Sequence, residues 1–195
     1  MNEAMLHDAY LRFDAANAED PNTINVNGKP RPKELIFAER LSAAVLSLDP
    51  DASTALRLAA RCQHIRRWKM PRSTQPMGRT GYLKWRTLLK KFHADESAKI
   101  LTTVGYDRDL IERVQELNLK KNLKTDEDCQ TLEDALCLVF LEYQFDALIA
   151  DTEQEKLLGI VRKTWAKMSP RGQQATDKIT FSEQGARVLQ QALSQ

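Results

Sequence analysis

Thr131-Leu132-Glu133-Asp134-Ala135-Leu136-Cys137-Leu138-Val139-Phe140-Leu141 is the stretch on which the fold of this 195-residue chain turns. Drawn as a helix, it carries apolar side chains on most sides, and the pattern continues through Phe145 to about Ala150. A helix that is apolar all round has no face to give to water and belongs in the middle of a fold. The segments on either side supply the helices to surround it. Upstream, the spacing predicts helices over about Glu3 to Ala16, from Lys33 to about Leu48, over Ala52 to Trp68, over Gly81 to Phe92 and from His93 to Val104. Asp107 to Leu119 adds another before a charged connector that runs through Asp128. Downstream, Glu153 to Lys167 and Ser182 to Leu193 complete the set.

The breakers agree with these limits. Pro21, Gly28, Pro30 and Pro32 mark a polar loop from Ala18 to Pro32, and Asp49-Pro50-Asp51 ends one helix and opens the next. A basic loop from Met70 to Thr80 is broken by Pro71, Pro76 and Gly78, and Gly105 reads as a C-cap. No segment alternates apolar and polar residues for long enough to predict a strand. The expected fold is therefore all-α, a single compact domain of several helices over residues 1–195. A chain of this length buries roughly 70% of its unfolded surface.

Apolar residues make up 42% and charged residues 29% of the chain, ordinary values for a water-soluble domain. No apolar run approaches the roughly 20 residues that span a membrane. The start of the chain has no basic segment leading into an apolar one, so no secretory signal is expected. Cys62, Cys129 and Cys137 are odd in number and widely spaced, which predicts buried reduced thiols in a cytoplasmic protein.

Charge is distributed unevenly. From Ala52 to Ala94 there are eleven Lys or Arg residues and no Asp or Glu, together with His64, His93, Trp68 and Trp85. The chain holds 29 basic and 27 acidic residues, so 18 basic face 27 acidic elsewhere, a division of +11 against −9. Such a field attracts anions. Arg66, Arg67, Arg72, Arg79 and Arg86 are the candidates to clamp phosphate oxygens, and Tyr82 and Trp85 the candidates to stack on a base or sugar. The plain alternatives are solvated surface cations and, for Trp85, a core anchor. A second basic patch, Arg162 to Gly172, contains Ser169-Pro170, an N-cap followed by a first-turn proline.

His64 and His93 each lie near an expected helix end beside cations, where imidazoles can serve as metal ligands or as satisfied core residues. Glu39 and Asp134 are the carboxylates on offer. Asp134 has a rival role, because Thr131 three residues earlier makes a near capping box.

Leu56-Arg57-Leu58-Ala59-Ala60-Arg61-Cys62-Gln63-His64-Ile65 resembles the helix of HD-domain phosphohydrolases that ends in a paired His-Asp. His93-Ala94-Asp95-Glu96-Ser97-Ala98-Lys99-Ile100-Leu101 is similar to that superfamily's later His and the small-residue helix after it. Gln130-Thr131-Leu132-Glu133-Asp134-Ala135 is similar to the helix bearing its closing Asp. The likeness covers about residues 33–145 and implies an HD-like helical fold. At the matching positions it implies a divalent metal (Mn, Fe, Ni, Zn or Mg) held by Glu39, His64, His93 and Asp134. The pattern departs from the superfamily in three places. Aligned on Ala59-Ala60, the His-Asp pair becomes Gln63-His64; Glu39 occupies the place of the first His; Asn118 stands where some members carry a further His. His7-Asp8 precedes the rest of the arrangement and does not correspond. The whole chain is also similar to an HD-like family without established activity that shares His-Ile-Arg-Arg-Trp, Trp-Arg and Phe-His-Ala.

The resemblance implies a metal-dependent phosphohydrolase acting on a nucleotide or another phosphorylated small molecule. A bound divalent ion would lower the pKa of its water from about 15.7 to about 7. Two alternatives stand beside it. One is a non-catalytic module for RNA or single-stranded nucleic acid, with aromatics interleaved among cations. The other is a metal-free structural or interaction protein whose +11 stretch is matched by its own acids.

Overall fold

The computed structural model describes residues 3–123 and 125–194 of the chain. It is all-α apart from one short hairpin, and the apolar stretch lies at its centre. Helix α6, Glu127–Tyr143, buries Leu132, Ala135, Leu138, Val139 and Leu141. It starts four residues before the expected Thr131, because Asp126 accepts a bond from Cys129 N (3.0 Å) and Glu127 and Asp128 sit in the first turn. It stops at Gln144, and a separate helix α7, Phe145–Asp151, follows where one continuous helix was expected.

Helix α6 joins two apolar cores. Leu132, Ala135 and Val139 pack with Phe13, Leu41, Leu56, Leu58, Leu101 and Leu117. Those partners come from α1 (Glu3–Ala18), α2 (Lys33–Leu48), α3 (Thr54–Cys62), α4 (Arg79–Val104) and α5 (Arg108–Leu119). Cys137, Leu138 and Leu141 face a smaller core with Phe145 of α7, with Leu157 and Val161 of α8 (Gln154–Trp165), and with Ala192 of α10 (Glu183–Leu193). A short helix α9, Pro170–Ala175, follows α8 in the chain and touches α6. All three cysteines are buried and free. No helix among the described residues is long and apolar enough to cross a membrane.

Three boundaries differ from expectation, each for a local reason. Residues 23–32, read as loop, pair as the antiparallel hairpin β1 (Thr23–Val26) and β2 (Lys29–Pro32). The two-residue turn Asn27-Gly28 has φ of 52° and 80°, the left-handed pair that a tight hairpin requires. Helix α4 runs unbroken through His93 for 26 residues, about 39 Å at 1.5 Å per residue. Nothing between Gly81 and Gly105 breaks it, and Trp85, Leu89, His93, Ser97 and Leu101 are all buried along it. Helix α3 ends early, at Cys62. The chain then bends through Arg66, whose φ of 50° is held by a bond from its own N–H to Asn17 Oδ1 (3.0 Å). That bend turns His64 and Arg67 toward α4.

Candidate functional site

A concavity of about 360 Å³ lies between the end of α3, one face of α4, the C-terminus of α5 and the flank of α6. Helix α4 contributes Tyr82, Trp85, Arg86, Leu89, Lys90 and His93. Their offsets of 0, 3, 4, 7, 8 and 11 put all six on one side of a helix. Lys120 arrives from the end of α5, where it adopts a left-handed φ of 58°. Glu133 comes from α6 and Lys167 from the turn after α8.

Five cations, Arg67, Arg86, Lys90, Lys120 and Lys167, line this cavity beside one carboxylate, Glu133. Glu133 is 5% exposed and is engaged with Lys120 in a short charge-assisted bond and with Lys167 at 3.8 Å. Burial raises its pKa, but Lys120, Lys167 and Lys90 outweigh that and hold it below the usual carboxylate range. Among the described residues, no carboxylate pairs with Arg86 or Lys90. Burial, with Lys120 and Arg86 nearby, pushes the Lys90 ammonium pKa down. A cation whose charge is disfavoured by its like-charged neighbours gains on meeting an anion.

The two histidines meet on the cavity wall with ring centroids 5.7 Å apart. His64 stacks on Phe37 at 4.0 Å and 12°, and its Nδ1 lies 3.5 Å from Glu34 Oε2. Burial, then the charges of Arg67, Lys120 and Lys33, drive its pKa well below the ordinary value. His93 is 2% exposed, and its Nδ1 donates to Ile65 O at 2.8 Å. Burial, with help from His64, lowers its pKa to about 3. Glu34 shows the opposite response. It is 7% exposed, and burial raises its pKa to about 7 despite Arg67 at 3.9 Å.

The expected metal ligands do not converge. Glu39 is 39% exposed on the far side of α2 from the Glu34–Phe37 contacts with His64, and it pairs with Arg31 at 3.4 Å. Asp134 is fully buried. Its Oδ1 accepts from Ser169 N (2.8 Å) and Gln130 Nε2 (2.9 Å), and its Oδ2 accepts from Ser169 Oγ (2.5 Å). Neither the metal role nor the Thr131 capping box holds for Asp134: it anchors the start of α9, whose N-cap Ser169 accepts from Gly172 N. The anion that the Ser169-Pro170 turn attracts is this carboxylate, and a Cβ on Gly172 would come within 2.5 Å of Asp134 Cγ. Among the described residues, no group of three or more His, Cys, Asp or Glu could hold a metal ion. The residues present do not fit the implied metal.

The arginines also divide. Arg67 and Arg86 line the cavity, as do Tyr82 and Trp85. Arg66 pairs with Glu96 (2.9 Å) and Glu19 (3.6 Å), away from the cavity. Arg72 donates to the carbonyls of Gln75 and Pro76 and so braces its own loop. Arg79 is exposed at the start of α4 and does not line the cavity. Trp85 is an anchor more than a stacking plate. It is 8% exposed, its Nε1 donates to Met70 O (2.9 Å), and Arg67 lies 5.2 Å from its ring. Lys90, Lys120, Lys167 and Glu133 were not singled out from the sequence. For Lys90 the signal was present, four residues after Arg86 and eight after Tyr82 on one helical face. Lys167 lies within the second basic patch, Arg162 to Gly172, whereas Lys120 carries no such marker.

Residues 7–189 match a family described as a domain of unknown function, DUF4202, and the chain belongs to that family. Comparison with curated proteins and with solved structures gives no match.

Proposed function

We propose that the cavity binds the phosphate of a small phosphorylated molecule. The observation that carries this reading is the lining of five cations to one carboxylate, with Arg86 and Lys90 left without carboxylate partners among the described residues. Much of the remaining acid-free stretch is neutralised or used locally. Arg57 pairs with Glu3, Arg61 with Asp14 and Arg66 with Glu96. Lys69, Arg79, Lys84 and Lys91 are exposed outside the cavity and also lack carboxylate partners among the described residues, but the cations that face a concavity favour a small anion over an extended strand of nucleic acid. The resemblance to HD-domain phosphohydrolases supports a shared scaffold in which two histidines face a phosphate site. Because Glu39 and Asp134 are committed elsewhere, no chemical step is assigned to a metal.

Isothermal titration with inorganic pyrophosphate in the presence of EDTA tests the proposal. Binding should weaken at least tenfold in Lys90→Ala and in Arg86→Ala, and it should fall as salt rises. Arg79→Ala, outside the cavity, should bind as the parent does. Equal binding by all four proteins would refute the assignment of the cavity. An oligonucleotide that binds more tightly than pyrophosphate would transfer support to the nucleic-acid alternative.

A further inference from the structure

Two buried polar atoms on the cavity wall lack partners among the described residues. His93 Nε2 is one, in a side chain only 2% exposed. Its Nδ1 gives its proton to Ile65 O, so the neutral ring presents Nε2 as a lone-pair acceptor. Gln63 Oε1 is the other, in a side chain 4% exposed, and it too is an acceptor. A buried acceptor without a donor forfeits the hydrogen bond it would make with water. Such groups call for an explanation, and these two are the ones among the described residues that lie on the lining of this cavity. Burial first, and then the charge of Arg67, keep both rings neutral, and a cationic donor on a ligand would be repelled by that same charge. The missing partner is an uncharged N–H or O–H.

The other side of the cavity sets the size of the anion. Five cations less Glu133, and less Glu34, whose carboxyl lies 3.9 Å from Arg67, leave an excess of about three. A single phosphate monoester carries about −1.5 to −2 and would leave part of it uncompensated. Arg86 and Lys90 stand one turn apart on α4, about 6 Å along the axis, so the charge is spread along a lane.

We infer that the ligand has two parts: a chain of at least two phosphates along the Arg86–Lys90–Lys120–Lys167 lane, and an uncharged head that donates hydrogen bonds to Gln63 and His93. This rests on the phosphate-binding reading above and goes further, because it makes the neutral wall a specificity element. His93 in this role is an acceptor held in one tautomer, not a metal ligand.

The test is titration of the full chain, in EDTA, with inorganic phosphate, pyrophosphate, and the diphosphates of adenosine, guanosine, cytidine and uridine. Pyrophosphate should bind at least tenfold more tightly than phosphate. At least one nucleoside diphosphate should bind at least tenfold more tightly than pyrophosphate. His93→Leu and Gln63→Leu should each remove most of that second gain and leave pyrophosphate affinity within about twofold. Near-UV circular dichroism checks that each variant is folded, and Gln63→Leu serves if His93→Leu is not. Phosphate binding as tightly as pyrophosphate would overturn the inference and leave the phosphate-binding proposal standing, as would a head that brings no gain. A gain that survives both substitutions would overturn the role of the wall. If neither phosphate nor pyrophosphate binds, the proposal itself falls and the inference falls with it.

Discussion

Acidification should expose the state of His93, and the size of the effect follows from its burial. In the unfolded chain the imidazole titrates near 6.5, whereas in the fold its pKa lies at about 3. A lowered folded pKa means that the contribution to stability is complete above pH 6.5 and is lost as pH falls toward 3. Between pH 8 and pH 5 the unfolded state takes up the proton and the folded state does not. At about 1.4 kcal/mol per unit, this costs roughly 2 kcal/mol at pH 5. Other groups titrate in the same window, Glu34 in the opposite sense, so the wild-type curve alone does not isolate the effect. Replacing His93 with Gln keeps a donor for Ile65 O and removes the titration. The change in unfolding free energy from pH 8 to pH 5, measured by urea denaturation, should then be about 2 kcal/mol less unfavourable in His93→Gln than in the parent. Some of the difference will come through His64, whose ring is 5.7 Å away. A difference below about 0.5 kcal/mol would refute the claim that His93 is held neutral by burial.

Other outcomes follow from neighbouring groups. Glu34 has a raised folded pKa, about 7, so its contribution to stability is complete below about pH 4.5 and is lost as pH rises through 7. Glu34→Gln should therefore make the change in melting temperature from pH 5 to pH 8 more favourable than in the parent; a less favourable change would contradict the assignment. Asp134→Ala removes three hydrogen bonds and leaves Ser169 N without its acceptor, which should cost about 2–4 kcal/mol in chemical denaturation. Pyrophosphate affinity below the melting temperature should change by less than twofold, whereas a large loss would return Asp134 to the binding site. Gly172→Ala forces a methyl against the Asp134 carboxyl and should destabilise by about 1–3 kcal/mol, read in the same assay. No change would mean that the α6–α9 contact is looser than described.

Much of the fold was legible because helices are local. Leu132, Leu138, Val139 and Leu141 declare a buried segment by spacing alone, and Ser169-Pro170 marks a helix start that the structure contains. The misses came where local signals competed. Asn27-Gly28 is a strong hairpin turn, yet the prolines around it made the region read as loop. The segment reads as two helices divided between Phe92 and His93, although no breaker lies there and α4 runs through.

The site was legible only in part. The acid-free stretch contains Arg67, Arg86, Tyr82, Trp85, His64 and His93, which all line one cavity. It could not show that Arg57, Arg61 and Arg66 spend their charge on Glu3, Asp14 and Glu96, because those partners lie 54, 47 and 30 residues away. Nor could it place Lys120 and Lys167 on either side of Glu133. Residue order determines periodicity, since a helix brings together only neighbours three or four apart. The all-α class, the central helix and the concentration of positive charge were therefore written in the sequence by itself. Which of those charges remain free is fixed by approach between distant segments. Only the tertiary structure decided that a cationic cavity survives with a neutral histidine wall, and that Asp134 serves the fold.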